Sequence, residues 1–175
     1  MKVVVINGTP ESGKDTFVDF CKTANKQVGI ISYSTIDTVK KIAGYLGWDG
    51  RKTELDRKFL AELKSAITNW DEDFFIKEIR QIINLYKSVN YQLVLFVFCR
   101  EPWQIKKIVE NFNAATLLIE RKDKKGKQSN IADSSVFNYN YDYKIKNNLT
   151  LKELQLEADN FLEQLRKDDK HEVCD

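Results

Sequence analysis

The chain has 175 residues, of which 42% are hydrophobic, and this length suits a single domain with a buried core. The formal net charge of +2 argues against a strongly basic surface, so strong nucleic-acid binding is not expected. Three widely spaced cysteines, Cys21, Cys99 and Cys174, fit neither a disulfide framework nor a metal cluster. The chain shows no leader-like segment and no apolar run of membrane-spanning length, so we expect a cytoplasmic protein without a membrane partner.

The first predicted strand is the β-branched run from Val3 to Ile6, which is typical of a strand buried on both faces. It leads directly into the spacing G-x-x-x-x-G-K, formed by Gly8, Gly13 and Lys14. In a P-loop this spacing turns successive backbone N–H groups toward one point at a helix N-terminus, where the helix dipole also favours an anion. The stretch therefore predicts a phosphate-binding loop between a strand and a helix.

The lysine is followed by Asp15 and Thr16, whereas the common P-loop pattern has Ser or Thr directly after the lysine. A hydroxyl at that position normally binds Mg²⁺. A carboxylate binds the metal directly or through water, and it adds negative charge beside the phosphates. Asp15 is therefore a candidate metal-binding residue.

Strands and helices alternate along the rest of the chain. Further strands are predicted at residues 27–33, 91–98, 115–120 and 141–146. Helices are predicted at residues 14–25, from the caps Ser34, Thr35 and Asp37 through Leu46, around residues 60–67 and 75–86, and at residues 102–112 and 150–165. Residues 121–140 are charged, polar and turn-rich instead. This order predicts an α/β fold with a parallel sheet of about five strands and helices on both faces.

Ligands of open α/β sheets bind outside the carboxyl ends of the strands, so chemistry is expected there. Three such places carry cationic or hydrogen-bonding groups. They are residues 34–40 with Arg57 further along, Cys99-Arg100-Glu101 after the most hydrophobic strand, and the basic segment that begins at Arg121. A migrating phosphoryl group spreads charge over its oxygens, and its transfer is catalysed mostly by cations and alignment. The three places therefore suit phosphoryl transfer.

The loop INGTPESGKDT resembles that of the phage-type deoxynucleoside monophosphate kinases, which are P-loop nucleoside monophosphate kinases and also carry G-x-x-x-SGKDT. CREPWQI resembles the strand-end arginine segment of that family, and the stretch from ERKDKKGK to YNYDYKIKNN resembles its lid and last strand. The resemblance implies a three-layer P-loop NTPase fold in a single kinase domain over residues 1–175. It also implies an acceptor-binding helical segment at residues 36–88 and a lid at residues 121–140.

The resemblance also implies roles for individual residues. ATP and its Mg²⁺ would be held by Gly8, Ser12, Gly13, Lys14, Asp15 and Thr16. The acceptor monophosphate would be bound by Ser34, Thr35, Asp37, Arg57 and Arg100. Lys14, Arg100 and Arg121 would act in catalysis, with Arg121 closing over the transferred group. Cys99 stands where many P-loop enzymes have an acidic residue for Mg²⁺, so Asp15 and Glu101 are the predicted metal-binding residues.

We therefore expect ATP-dependent phosphoryl transfer to a nucleoside or deoxynucleoside monophosphate. The second pKa of a phosphate monoester is about 6, so its oxygen is largely ionised at neutral pH and needs no base. A hydroxyl acceptor would need a base, for which Asp37 is a candidate. The alternatives are a P-loop kinase for another small acceptor, such as dephospho-coenzyme A or a polynucleotide end, and a nucleotide-binding module with little catalysis. The expected partners are small-molecule nucleotides, and a homodimer is left open.

Overall fold

The computed structural model describes residues 1–24, 28–89, 91–121, 135–148 and 150–171. The chain forms two compact units, one of residues 1–32 and 90–175 and one of residues 33–89. The bounds of the second unit are close to those of the predicted acceptor-binding segment, whose function stays a prediction. Within the described ranges, no helix has both the length and the apolarity needed to cross a membrane.

Five strands form one parallel sheet, as the sequence predicts. They are β1 (Lys2–Asn7), β2 (Val28–Ser34), β3 (Gln92–Phe98), β4 (Ala115–Glu120) and β5 (Tyr143–Lys146). The order across the sheet is β2-β3-β1-β4-β5, so β1 is the middle strand. β1 pairs in parallel with β3 and with β4, and β4 pairs in parallel with β5. The carboxyl ends of these strands therefore share one edge of the sheet.

The helices are α1 (Lys14–Ala24), α2 (Asp37–Tyr45), α3 (Glu54–Trp70), α4 (Phe74–Leu85), α5 (Pro102–Phe112) and α6 (Leu151–His171). A single 3₁₀ turn is described, at Ser135–Phe137. Helix α5 has Pro102 in its first turn, as predicted. Helix α6 runs past its predicted end at Leu165, because its final residues are mostly polar helix formers that an apolar pattern does not mark.

One face of the sheet packs against α1 and α6. Alternate strand residues, such as Val4, Phe96 and Leu117, form a buried cluster with residues of both helices. Phe17 of α1 and Phe161 of α6 meet in this cluster, with their ring centroids 5.8 Å apart in an edge-to-face arrangement. This packing holds α1, and with it the loop that precedes α1, against the sheet.

The opposite face carries α5, which contacts β1. Successive side chains of a strand point to opposite faces, so Val5 and Leu95 point away from the α1 and α6 side, and both are fully buried. Ile105 and Ile108 of α5 are buried as well. Helices therefore cover both faces of the sheet, and the predicted three-layer α/β fold is confirmed.

The second unit contains α2, α3 and α4. Its fully buried helical residues come from α2 and α4 and include Val39, Phe75 and Ile79. Helix α3 buries no residue completely. Its predicted apolar face is half-buried, and it consists of Leu60, Leu63 and Ile67.

The predicted capping of α2 by Ser34, Thr35 or Asp37 is wrong. The N-cap residue is Ile36, and no side chain caps the helix. The Asp37 carboxylate instead accepts a hydrogen bond of 3.1 Å from the Ser34 N–H. Asp37 therefore closes the turn before the helix, because its short side chain can bond backbone nearby as readily as it can cap a helix.

Candidate functional site

Residues 8–13 form the loop between β1 and α1, at the carboxyl edge of the sheet. Gly8 and Gly13 have φ angles of +153° and +95°, which residues with a side chain rarely adopt. A Cβ on Gly8 would collide with the carbonyl oxygen of Ile119 and would lie 2.6 Å from Ser12 Oγ. The backbone turn and the close approach to β4 therefore require glycine at the first position of the motif.

Lys14 is the first residue of α1 and is only 8% exposed. Its Nζ donates to the carbonyl oxygens of Gly8 at 2.8 Å and Thr9 at 2.9 Å, and to Ser12 Oγ at 3.5 Å. The ammonium therefore lies within the loop. Since the N-terminus of α1 begins at the same place, its dipole and the lysine charge both favour an anion there.

Asn7, the last residue of β1, connects the loop to two neighbouring segments. Its Oδ1 accepts from the Gly8 N–H at 2.7 Å, and its Nδ2 donates to Tyr141 Oη at 2.7 Å and to the Arg100 carbonyl at 3.3 Å. The Tyr141 hydroxyl donates in turn to the Val136 carbonyl at 2.7 Å, and burial raises the pKa of this tyrosine. Sequence analysis missed Asn7, although an amide at the end of an apolar strand must find partners when it is buried.

Asn147, just after β5, connects the loop to β4. Its backbone N–H donates to the Glu120 carbonyl at 2.7 Å, and its Nδ2 donates to the Ser12 carbonyl at 2.8 Å. The same amide would meet a Cβ placed on Gly13. Asn147 therefore holds the second half of the loop in place, and no local sequence signal marks it for this role.

We expect Asn147→Ala to loosen the loop while leaving the fold intact. One lost hydrogen bond costs about 1 kcal/mol, which lowers the melting temperature by about 2–4 °C in a chain of this size. The KM for ATP should rise by about 3- to 10-fold, because the loop amides lose part of their alignment. Asn111→Ala is the matched control, since the Asn111 amide is exposed on α5 and donates to the Lys107 carbonyl at 3.0 Å. Equal KM values for both variants would contradict the role of Asn147.

The predicted strand-end segment follows β3. Cys99 is buried, and its Sγ lies 3.5 Å from Gln104 Oε1 and 3.8 Å from Glu101 Oε2, both as hydrogen-bond acceptors. Arg100 and Glu101 are half-buried. Because the Arg100 carbonyl bonds Asn7, the backbone of this segment lies beside the start of the loop.

Arg121 directly follows β4 and is half-buried. Its Nε is buried, and this atom has no hydrogen-bond partner in the described part of the chain. Buried donors are nearly always paired, so this atom is suited to bind an anionic oxygen. The predicted lid continues through residues 122–134, which lie outside the described residues.

The predicted metal-binding residues are Asp15, which is exposed in the first turn of α1, and the half-buried Glu101. Thr16 follows Asp15 in the same turn and is half-buried. Among the described residues, no three or more His, Cys, Asp or Glu side chains are grouped as metal ligands. Mg²⁺ at phosphate sites is usually bound by one or two carboxylates together with substrate phosphates. The assignment of Asp15 and Glu101 stays a prediction.

In the second unit, Thr35 is buried, and its Oγ1 accepts a hydrogen bond of 3.1 Å from Lys64 Nζ. The same ammonium lies 5.6 Å from the ring centroid of Phe75. The Ser34 N–H donates to the Asp37 carboxylate at 3.1 Å. Arg57 is exposed on α3, and its side chain makes no hydrogen bond or ion pair within the described ranges. The structure therefore joins Thr35 to Lys64, which the sequence analysis did not identify.

A second polar contact in this unit was also missed. The hydroxyl groups of Tyr33 and Thr38 donate to Glu78 Oε2 at 2.7 Å and 2.6 Å. Burial, together with the hydrogen bond to Glu78, raises the pKa of Tyr33 well above its usual value. The tyrosine is therefore a donor at neutral pH. Glu78 and Lys64 had no distinguishing signal, because charged residues on a helix are usually solvated.

The chain matches no protein-family model and no curated protein. Several solved structures are similar to it. A sugar kinase from Janibacter is 12% identical, with 93% of this chain and 95% of that chain covered and a TM-score of 0.50. Shikimate kinase from Aquifex aeolicus (12% identity, 95% and 98% covered, TM-score 0.46) and the APS kinase of Mycobacterium tuberculosis (14%, 93% and 96%, TM-score 0.44) also match. At 12% identity the likeness to the sugar kinase concerns the fold alone, and it agrees with the three-layer α/β architecture of this chain.

Proposed function

We propose that this protein transfers the γ-phosphoryl group of ATP to a nucleoside or deoxynucleoside monophosphate. The observation that carries the proposal is the Lys14 ammonium, which lies inside a glycine loop at the start of a helix. Such a loop combines backbone N–H groups, a helix dipole and a cation, and this is the chemistry that binds a polyphosphate.

The loop residues would divide the phosphates of ATP among them. The β- and γ-phosphates would be bound by Gly8, Ser12, Gly13 and Lys14, and the α-phosphate by Thr16. The positive φ angles of the two glycines support this assignment, because they bring the backbone close to the ligand without a side chain in the way. The helix dipole of α1 adds to the attraction.

Arg121 would bind the transferred phosphoryl group. Its buried Nε lacks an acceptor among the described residues, and a phosphate oxygen would supply one. Closure of residues 121–140 as a lid would exclude water, which competes as an acceptor. Asp15 and Glu101 would hold Mg²⁺ directly or through water, and the metal would supply positive charge that neutralises the phosphates.

The state of Asp37 supports a phosphate acceptor over a hydroxyl acceptor. Its carboxylate accepts the Ser34 N–H and lies 4.0 Å from Lys40 Nζ. A general base must lie within hydrogen-bond reach of the proton that it removes, and both oxygens of Asp37 already have partners in this chain. The oxygen of a monophosphate needs no base, since its second pKa is about 6. We assign binding of the acceptor to Ser34, Thr35, Asp37, Arg57 and Arg100, with residues 36–88 as the acceptor-binding segment.

Two other functions have specific support. Transfer to another small acceptor is favoured by the fold that the chain shares with a sugar kinase. Nucleotide binding with little catalysis is favoured by the buried Cys99 after β3, where a carboxylate would otherwise help to hold Mg²⁺.

A panel of acceptors tests the proposal. The purified protein is incubated with ATP and Mg²⁺ and with each nucleoside or deoxynucleoside monophosphate, sugar or dephospho-coenzyme A, and the products are identified by mass spectrometry. We expect diphosphate product from one or more monophosphates. Product from another acceptor alone would favour the second function, and ATP binding by calorimetry without any product would favour the third.

Arg100→Ala should weaken binding of the acceptor nucleotide more than binding of ATP. Loss of a charge-assisted contact to phosphate should raise the acceptor KM by about 10- to 100-fold, with the KM for ATP changed by about twofold or less. Lys106→Ala is the matched control, because Lys106 is exposed on α5 and lies 3.8 Å from Glu110 Oε1. Equal losses for both substrates would refute the assignment of Arg100 to the acceptor.

A further inference from the structure

The Glu78 carboxylate on α4 is anchored through only one of its oxygens. Tyr33 and Thr38 both donate to Oε2, at 2.7 Å and 2.6 Å. No other hydrogen bond or ion pair reaches Glu78 from the described part of the chain, so Oε1 has no partner there. Among the described residues, the buried polar side-chain atoms without a partner are Trp48 Nε1 and Arg121 Nε, so the partnerless Oε1 is open to solvent and a ligand donor can reach it.

Two hydroxyl groups of the second unit fix the direction of this carboxylate. Tyr33 belongs to the end of β2, Thr38 to the first turn of α2 and Glu78 to the middle of α4. Tyr33 is buried, and its hydroxyl donates to Glu78. Two donors on one oxygen restrict rotation of the carboxylate, so Oε1 keeps a constant position without a ligand.

A cation lies on the same side of α4 as this carboxylate. Phe75 and Glu78 are three residues apart on the helix and therefore share a face. Lys64 Nζ lies 5.6 Å from the centroid of the Phe75 ring and donates to Thr35. A ligand that binds Oε1 carries a hydrogen-bond donor, and the neighbouring Lys64 ammonium disfavours a cationic one.

We propose that Glu78 Oε1 accepts a hydrogen bond from a sugar hydroxyl or a base N–H of the acceptor nucleotide, and so selects acceptors that carry this donor. The inference rests on the proposed function and names a residue that determines its specificity. A carboxylate oxygen would reject a nucleotide that presents a lone pair at that position, because two hydrogen-bond acceptors cannot bond each other.

The test is Glu78→Gln, assayed with a productive monophosphate and its analogues. The glutamine has the same size, and its oxygen can still accept from Tyr33 and Thr38. Its NH₂ group then occupies the place of Oε1 and turns an acceptor into a donor. One set of analogues lacks a sugar hydroxyl at the 2′ or 3′ position, and the other set lacks a base N–H through methylation or replacement.

In the wild-type protein, loss of the recognised donor should lower kcat/KM by about 10- to 100-fold. In Glu78→Gln, loss of the same donor should change kcat/KM by about twofold or less, and the KM for ATP should stay within about twofold of wild type. The set of analogues that shows the effect identifies the donor as a sugar hydroxyl or a base N–H. Glu62→Gln is the control, since Glu62 is exposed on α3 and lies 3.8 Å from Lys58 Nζ.

Each remaining outcome overturns the inference. If Glu78→Gln keeps the selectivity of wild type, or lowers kcat/KM equally for every acceptor together with the melting temperature, Glu78 serves only the fold. If the wild-type protein phosphorylates no monophosphate, the proposed function fails and the inference fails with it. Turnover with unchanged selectivity in the variant overturns the inference alone, so the two failures are distinguishable.

Discussion

Lys14→Ala should reduce phosphoryl transfer by about three orders of magnitude while the protein stays folded. The change removes the cation that lies in the loop, where the transferred group would develop its charge. The fold should survive because water can hydrate the two carbonyl groups that the ammonium leaves behind. Steady-state kinetics of product formation measure the loss, and circular dichroism and thermal melting check the fold.

Lys22→Ala is the matched control for this change. Lys22 lies on the same helix, is exposed, and forms an ion pair of 2.8 Å with Asp19. It should keep nearly full activity, because exposed ion pairs contribute little. Full activity in Lys14→Ala would remove this lysine from the mechanism.

Gly8→Ala should damage both the loop and the stability of the protein. The φ angle of +153° is unfavourable for alanine, and the new Cβ would collide with the Ile119 carbonyl oxygen, which belongs to a central part of the sheet. Such backbone strain costs about 1–3 kcal/mol, to be measured by urea unfolding. We also expect the affinity for ATP, measured by calorimetry, to fall by about tenfold or more, because the loop must move away from β4.

Gly44→Ala separates this effect from a general effect of replacing glycine. Gly44 lies within α2, and a Cβ there would meet no atom within 4 Å. Alanine should raise the free energy of unfolding by about 0.5–1 kcal/mol, because it is the better helix former. If Gly8→Ala is as stable as wild type and binds ATP equally well, the loop does not have the close contact with β4 described above.

The sheet and the loop could be predicted because their signals are local. The run from Val3 to Ile6 and the spacing of Gly8, Gly13 and Lys14 are each complete within a few residues. Asn7 and Asn147 could not be assigned, since their partners are up to 135 residues away in the chain. The sequence shows that an amide follows an apolar strand, but it does not show which residue the amide will bond once the chain is folded.

The acceptor side was harder to predict because its polar residues follow no fixed spacing. Asp37 looked like a helix cap and instead closes a turn, since both uses need the same short carboxylate. Glu78 has no sequence signal that distinguishes it from other charged helix residues, and only the structure places the hydroxyl groups of Tyr33 and Thr38 beside it. The roles of Ser34, Arg57 and Arg100, the cytoplasmic location and the state of assembly stay predictions.

The hydrogen bonds that Lys14 makes within the loop would favour an anionic ligand over a neutral one. The ammonium already donates to the peptide oxygens of Gly8 and Thr9. An incoming molecule must therefore offer it a stronger hydrogen-bond acceptor than a peptide oxygen. A neutral molecule offers an oxygen that accepts about as strongly as a peptide oxygen, so replacing one by the other gains almost no free energy of binding. A polyanion gains free energy of binding, because hydrogen bonds to an ionised acceptor are about twice as strong as those between neutral groups. In the proposed function, the resting contacts of the lysine would therefore disfavour sugars and free nucleosides in the loop and favour a phosphate chain.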